Sequence, residues 1–216
     1  MNYKINILAM LAVFCAIFVH VNTAEAQEFT AVKDLTQLNK EISLVAANTK
    51  TIIADFVQEK HLDVLDIVVE SKGVFIYKDP QKLRWEYKTP YKYLVLMNNG
   101  KMSIVQDNKV QEFDMKSSDA LKSLNDMMLN AIKGDILQNI NFKTSVFENA
   151  KSYKVRLVPK NNKVNVVLSA IEVLINRNSK TVDQFTMYES DTDYTQIRFL
   201  NKKINQDVAD GHFINN

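Results

Sequence analysis

Residues Gly73 to Pro90 read GVFIYKDPQKLRWEYKTP. Two segments of this stretch, Gly73–Tyr77 and Leu83–Tyr87, have the composition of β-strands and flank the turn-forming sequence KDPQ. In the second segment, LRWEY, apolar and polar residues alternate, so the chain's only tryptophan, Trp85, lies on an apolar strand face. The stretch predicts a hairpin within a β-sheet, and the rest of the chain decides what that apolar face contacts.

The chain around this hairpin is mostly strand. An amphipathic helix is predicted at Leu35–Asn48, with Asp34 or Thr36 as its cap, and a second helix runs from Ser118 or Asp119 to Lys133. Strands with turn signals between them are predicted at Thr51–Lys60, Asp66–Lys78, Leu83–Tyr87, Tyr91–Met97, Lys101–Gln106, Val110–Met115, Ile140–Phe147, Ser152–Pro159, Val164–Asn176, Thr181–Glu189 and Tyr194–Asn201. This order predicts an α+β, mainly β fold: one antiparallel sheet of roughly ten strands with two helices.

The N-terminus has the pattern of a secretory signal peptide. A positive residue, Lys4, precedes an apolar run from Ile7 to Val21, and small residues at Ala24 and Ala26 follow. We predict cleavage after Ala26, which leaves residues 27–216 as a single domain. The alternative is a membrane anchor, for which the apolar run is short.

The composition argues against several function classes. The 27 basic and 25 acidic residues are scattered, so no basic stripe indicates nucleic-acid binding. The only cysteine, Cys15, lies within the predicted signal peptide, and His61 and His212 have no metal-ligand spacing. We therefore predict a protein that is not an enzyme and that has no catalytic residues, metal or cofactor.

A rolled sheet with large apolar side chains can either enclose a cavity or fill its interior. The pattern alone leaves both possibilities open. The side chains expected to point inward are Phe56, Phe75, Trp85, Tyr87, Val95, Met97, Phe142, Phe185 and Phe199.

Four motifs give the chain a family resemblance. They are ADFVQ at residues 54–58, the block from Gly73 to Pro90 with its LRWEY core, the Asn99-Gly100-Lys101 turn, and the ending from Asp191 through Phe199 and Asn201 to Asn205. Together they resemble the periplasmic outer-membrane lipoprotein carriers, the LolA-like proteins. The LRWEY block is the specific part of this resemblance.

The resemblance implies an incomplete antiparallel β-barrel, or half-barrel, with a helical lid over a hydrophobic cavity. It implies a monomeric periplasmic carrier that takes acylated lipoproteins from an inner-membrane lipoprotein-releasing ABC transporter to the outer membrane, with an outer-membrane receptor as a further partner. On this mapping the binding residues are Phe56, Phe75, Trp85, Tyr87, Val95, Met97, Leu121, Leu124, Met127 and Met128. The two methionines are expected to make the lid adaptable.

One position departs from the family pattern. Asp79 stands where family members carry an arginine that helps hold the lid shut, and Lys78 precedes it. Two other functions remain open on the same fold: a carrier of another amphiphile, such as a glycolipid or polyene, and a ligand-sensing domain of an envelope pathway.

Overall fold

The computed structural model describes residues 28–98, 100–107, 109–115, 137, 142–160 and 168–215. Within them one helix, α1, spans Leu35–Asn48. The strands are β1 (Thr30–Ala31), β2 (Thr51–Leu62), β3 (Ile67–Lys78), β4 (Lys82–Thr89), β5 (Tyr93–Asn98), β6 (Lys101–Gln106), β7 (Lys109–Asp114), β8 (Phe142–Glu148), β9 (Ser152–Pro159), β10 (Ala170–Asn176), β11 (Val182–Tyr188) and β12 (Tyr194–Ile204). Short 3-10 turns lie at Asp63–Leu65 and Asp210–Phe213.

All twelve strands form one antiparallel sheet in the order β1-β8-β9-β10-β11-β12-β2-β3-β4-β5-β6-β7. Strands β2 to β7 lie side by side in chain order, and so do β8 to β12. The two series are joined where β12 pairs with β2. The outermost strands, β1 and β7, do not pair with each other, so the sheet is open. The prediction of a mainly β fold built on an incomplete antiparallel barrel is confirmed.

The described residues form twelve strands, one more than the eleven predicted ranges. The additional strand β1 has only two residues and pairs with β8, and so short a segment shows no period in the sequence. Other strands differ from their predicted ranges at the ends, where the period is weakest. The predicted helix at 118–133, with Leu121, Leu124, Met127 and Met128, lies outside the described residues, as does the predicted signal peptide.

Helix α1 forms where its sequence places it. The Asp34 side chain accepts a hydrogen bond from the Gln37 backbone N–H at 2.9 Å, which caps the helix start. Leu38, Ile42 and Ala46 recur on one face and are buried. This stripe packs against the strands from β8 to β11.

The buried side chains form two main clusters. The first lies under α1, and its strand residues are mostly aliphatic, with Val155, Ile171 and Val173 fully buried. The second lies along β2 to β6, with one residue from β12 and one after β7, and contains mainly aromatic side chains and methionines: Phe56, Phe75, Tyr77, Leu83, Trp85, Met97, Met102, Met115 and Ile197.

Gly73 allows the second cluster to form. A Cβ atom at this position would lie 1.9 Å from the Glu86 carbonyl oxygen and 2.6 Å from the Phe56 ring. A glycine in a strand interior often marks such a close approach. Here it lets the Phe56 ring lie directly on the backbone of β3.

The C-terminal segment crosses the outer face of the sheet behind this cluster. Val208 and Phe213 are buried there against Ile76 of β3. The Asp210 carboxylate lies 2.7 Å from the Lys78 ammonium and 2.9 Å from that of Lys82. Apolar burial and ion pairs therefore fix this segment to β3 and β4. Among the described residues, no helix has the length and apolar character needed to cross a bilayer.

Candidate ligand-binding cavity

An apolar cavity of about 400 Å³ lies between α1 and the inner face of the sheet. Its volume is within the range typical of ligand pockets. The side chains around it come from α1 and the residue after it, eight strands and the β10–β11 turn: Ile42, Val45, Ala46, Thr49, Ile52, Gln58, Phe75, Leu83, Trp85, Tyr87, Tyr93, Val95, Met97, Met102, Ile104, Ile175, Lys180, Thr181, Val182, Phe185, Met187, Ile197, Phe199, Lys202 and Ile204. The described residues therefore leave the interior open, which is the first of the two possibilities that the sequence pattern allowed.

Strand β4 contributes the alternate residues of the LRWEY block to the cavity wall. Leu83, Trp85 and Tyr87 all line the cavity, as the period of two predicts. The rings of Trp85 and Phe75 meet edge to face, with 5.3 Å between their centroids. Tyr87 stacks on Tyr93 of β5 with 4.0 Å between centroids. These ring contacts fix the wall in one arrangement.

The predicted site residues divide into three groups. Phe75, Trp85, Tyr87, Val95 and Met97 line the cavity. Phe56 is only 1% exposed and lies behind the wall, with its ring centroid 5.1 Å from that of Trp85 and 5.0 Å from that of Tyr87. The remaining four, Leu121, Leu124, Met127 and Met128, lie outside the described residues.

Helix α1 forms one part of the wall that was not predicted from the sequence. Ile42, Val45 and Ala46 line the cavity from the helix, and Thr49 lines it from the residue after the helix end. The helical spacing identifies the apolar face, which accounts for the contact between α1 and the sheet. It does not indicate that the last turns of this face extend past the packed strands and over an open space.

One end of the cavity carries a neutral polar pair. The Tyr87 hydroxyl donates a hydrogen bond of 2.8 Å to the Gln58 side-chain oxygen. Burial, with a further contribution from Tyr93, raises the pKa of Tyr87 far above its ordinary value, although the nearby Trp85 indole opposes part of the rise. The indole N–H itself is buried and has no hydrogen-bond partner among the residues that the structure describes. Tyr87 therefore stays uncharged at any physiological pH.

The opposite end carries two lysines whose ammonium groups have local acceptors. Lys202 donates to the Thr181 hydroxyl, the Val182 carbonyl and the Asp183 carboxylate. Lys180 lies 3.1 Å from the Glu41 carboxylate of α1 and also donates to a turn carbonyl. An ammonium group has three N–H donors, so both lysines use most of their capacity within the protein. The Lys180–Glu41 pair joins α1 to the β10–β11 turn beside the cavity, and Lys202 joins β12 to the start of β11.

Asp79 stands where the family pattern has an arginine, and Lys78 precedes it. The two side chains contact different groups. The Asp79 carboxylate accepts a hydrogen bond of 3.2 Å from the Tyr77 hydroxyl and lies 3.7 Å from the Lys50 ammonium. Lys78 donates to the Val208 carbonyl and to Asp210, which holds the C-terminal segment on the outer face. The lysine therefore contacts the outside of the sheet.

The wall as a whole suits an apolar ligand. Nearly all of its surface comes from aliphatic, aromatic and methionine side chains, and burial of such surface is the main source of affinity for a hydrocarbon. Among the described residues, no three His, Cys, Asp or Glu side chains lie close enough together to hold a metal ion.

Comparison with solved structures shows a similar fold in MucB and finds further similar chains. MucB is 10% identical with a TM-score of 0.51, over 82% of this chain and 62% of that chain. A LolA superfamily protein from Nitrosomonas europaea is 7% identical (TM-score 0.44; 83% and 96% of the two chains). The lipoprotein LppX from Mycobacterium tuberculosis is 12% identical (TM-score 0.43; 82% and 99%). The chain has no match among curated protein sequences.

The family assignment rests on a sequence match that covers most of the fold. The family model described as outer membrane lipoprotein carrier protein LolA matches residues 47–215, from the last turn of α1 through all strands from β2 to β12 and the C-terminal segment. With an open antiparallel sheet around an apolar cavity, the chain belongs to the LolA family.

Proposed function

We propose that the protein is a periplasmic carrier that binds the acyl chains of lipoproteins in its cavity. It receives them from an inner-membrane ABC transporter and delivers them to the outer membrane. The observation that carries this proposal is the apolar cavity of about 400 Å³ in a chain of the LolA family. No catalytic constellation is needed for this role.

The energetics suit a carrier. Burying an acyl chain is worth about 0.8 kcal/mol per methylene group. A chain enclosed along its whole length would be held too tightly to leave, but the membrane offers nearly the same gain. A cavity that encloses part of the chain keeps uptake and release close to balance.

The charge distribution supports an uncharged ligand segment. Tyr87 remains neutral because burial raises its pKa, and the hydrogen bond to Gln58 occupies its hydroxyl proton. Lys180 and Lys202 lie at the opposite end with acceptors of their own. A hydrocarbon chain can therefore occupy the cavity without displacing an ion pair.

The decisive experiment is native mass spectrometry with lipid extraction on the protein purified from its own periplasm. We expect a co-purifying acylated lipoprotein, and an N-terminus at Gln27 if the signal peptide is cleaved as predicted. If a free glycolipid or polyene co-purified instead, the cavity would still be the binding site, but the cargo would not be a lipoprotein. An empty protein that takes up no fluorescent fatty acid would contradict the proposal.

The wall residues can be tested separately because Trp85 is the chain's only tryptophan. We expect a fatty acid brominated along its chain to quench Trp85 emission, since bromine quenches only on contact, and the same fatty acid without bromine to leave the intensity nearly unchanged. Binding without quenching would place the chain away from Phe75, Trp85 and Tyr87.

A further inference from the structure

The hairpin formed by β2 and β3 extends beyond the neighbouring strand β4. The two strands pair with each other as far as Leu62 and Ile67. Strand β4 pairs with β3 only from Lys72 onward. Within the part of the chain that the structure describes, Ile67–Ser71 therefore has an open backbone edge on its β4 side. Five residues of strand give this edge a length of about 17 Å.

The extended hairpin is unusually apolar for an exposed element. Every residue from Asp63 to Glu70 is exposed. The exposed fractions of its large apolar side chains are 91% for Val64, 63% for Leu65, 45% for Ile67, 55% for Val68 and 41% for Val69. Since successive strand residues point to opposite faces, apolar side chains stand on both faces of the hairpin. Contiguous exposed apolar surface of this kind marks an interaction site.

The terminal edge of the sheet shows the usual protection, and the hairpin lacks it. Strand β7 carries Lys109, Glu112 and Asp114 along its short length, and charged side chains deter the addition of another strand. The open edge at Ile67–Ser71 has one charged residue, Glu70, in five. Its composition permits pairing with a further strand.

The charge around the hairpin is negative. Asp63 and Asp66 flank the apolar tip, and the Asp63 backbone N–H donates a hydrogen bond of 2.8 Å to the carboxylate of Asp193 in the β11–β12 loop. Lys60 and Lys72, which belong to the hairpin strands themselves, lie within 3.2 Å of Glu189 and Glu70. An acidic tip repels an anionic bilayer and a second acidic tip, and it attracts a basic partner.

We propose that the β2–β3 hairpin is a docking site for a partner protein that adds an extended strand to the Ile67–Ser71 edge. The partner strand has apolar side chains and lysine or arginine residues on its flanks. Main-chain hydrogen bonds supply affinity in this mode of recognition, and side chains supply specificity.

The hairpin end, Leu62, lies four residues beyond Gln58 on β2, or about 13 Å past that end of the cavity. The docking does not depend on what the cavity holds.

The test uses two labelled synthetic peptides with the same core of alternating valine and threonine. One has two lysines at each end, and the other has two glutamates. We expect the lysine-flanked peptide to bind the intact protein at least tenfold more tightly in fluorescence anisotropy, and to slow amide hydrogen exchange at Ile67–Ser71. Equal binding of the two peptides, or protection at β7 instead, would overturn the proposal.

Matched variants locate the site. The double variant V68T/V69T keeps β-branched side chains but removes apolar surface, and we expect it to lose at least tenfold in affinity. The control Val110→Thr changes a valine of β7 that is 45% exposed, and it should bind like the wild type. The double variant D63N/D66N should abolish the preference for lysine. Thermal unfolding should be nearly unchanged for all three, because the altered side chains are exposed.

Two other outcomes would contradict the proposed partner and identify a different one. In the first, the protein binds vesicles containing phosphatidylglycerol but binds neither peptide. If V68T/V69T abolished that binding, the hairpin would be a membrane contact. Concentration-dependent dimers in analytical ultracentrifugation that the same variant abolishes would make the partner a second copy of the chain.

Discussion

The sheet uses its inner face in two ways. Under α1 the strands β8 to β10 present mainly valine, isoleucine and leucine, and the helix packs directly on them, so that Val155, Ile171 and Val173 are fully buried. Along β3 to β6 the inner face is mainly aromatic and methionine-rich, and it borders the cavity. We call these the filled half and the hollow half.

The difference shows what a cavity wall requires. Aliphatic side chains fill space when another element lies opposite them. A wall with open space in front of it needs support from the side, and Phe56, Phe75, Trp85 and Tyr87 support one another through ring contacts of 5.0 to 5.3 Å. The C-terminal segment supports the same strands from the outer face.

The largest effect should come from the close packing behind the hollow half. In Gly73→Ala the new methyl group would overlap the Glu86 carbonyl and the Phe56 ring, so backbone and ring must both move. We expect a loss of about 3 kcal/mol in the free energy of unfolding, measured by urea denaturation. The control is Gly211→Ala, whose methyl group would meet no atom within 4 Å. Equal stability of the two variants would show that the wall is not tightly packed.

A matched pair of truncations should separate the two halves. Ile171→Ala removes a fully buried side chain from the filled half and should cost about 3 to 4 kcal/mol in unfolding free energy without changing fatty-acid affinity. Ile104→Ala removes a half-buried side chain from the cavity wall and should cost about 1 kcal/mol while weakening fatty-acid binding. If both variants lost stability equally and bound equally, the two halves would not differ as described.

Filling the cavity should affect binding more than stability. Ala46 lines the cavity from α1, so Ala46→Met places a longer side chain in the open space. We expect at least a tenfold loss in affinity for a fluorescent fatty acid, with a change in unfolding free energy below about 1 kcal/mol. Ala47→Met, on the exposed face of the same helix, is the control and should bind normally. If Ala46→Met bound the fatty acid normally, the ligand would have to bind outside this cavity.

The smallest effect should come from the ion pairs behind the hollow half. Hydrogen bonds from Lys78 and then Lys82 lower the pKa of Asp210 from 3.8 to about 2. Between pH 4 and pH 2 the unfolded chain therefore binds more protons at this group than the folded chain. The stabilisation is present above pH 4 and is lost as the pH falls toward 2.

Asp210→Asn tests this directly. We expect the variant to be slightly less stable than the wild type at pH 6 and nearly equal to it at pH 2, as measured by thermal unfolding. The effect is small because the carboxylate is exposed and solvent screens its ion pairs. A stability difference that persists unchanged at pH 2 would assign the effect to lost contacts instead of charge.

Much of this architecture could be predicted from the sequence, since it depends on local periodicity. The bounds of α1 and the orientation of Leu83, Trp85 and Tyr87 follow from spacing, whereas the structure was needed to choose Asp34 over Thr36 as the cap. Strand β1 could not be predicted in this way, because two residues have no period. The placement of Phe56 behind the wall could not be predicted either, because alternation gives the face of a strand and not the depth of a side chain.

The sequence by itself therefore determined the strand order along the chain, the apolar face of each element and, through the LRWEY block and its companion motifs, the LolA family. Only the tertiary structure decided that the two apolar faces stay apart over part of their length. Whether facing surfaces meet or leave a cavity depends on the twist of twelve paired strands and on the position at which α1 crosses them. Those are long-range distances, and no local pattern of residues encodes them.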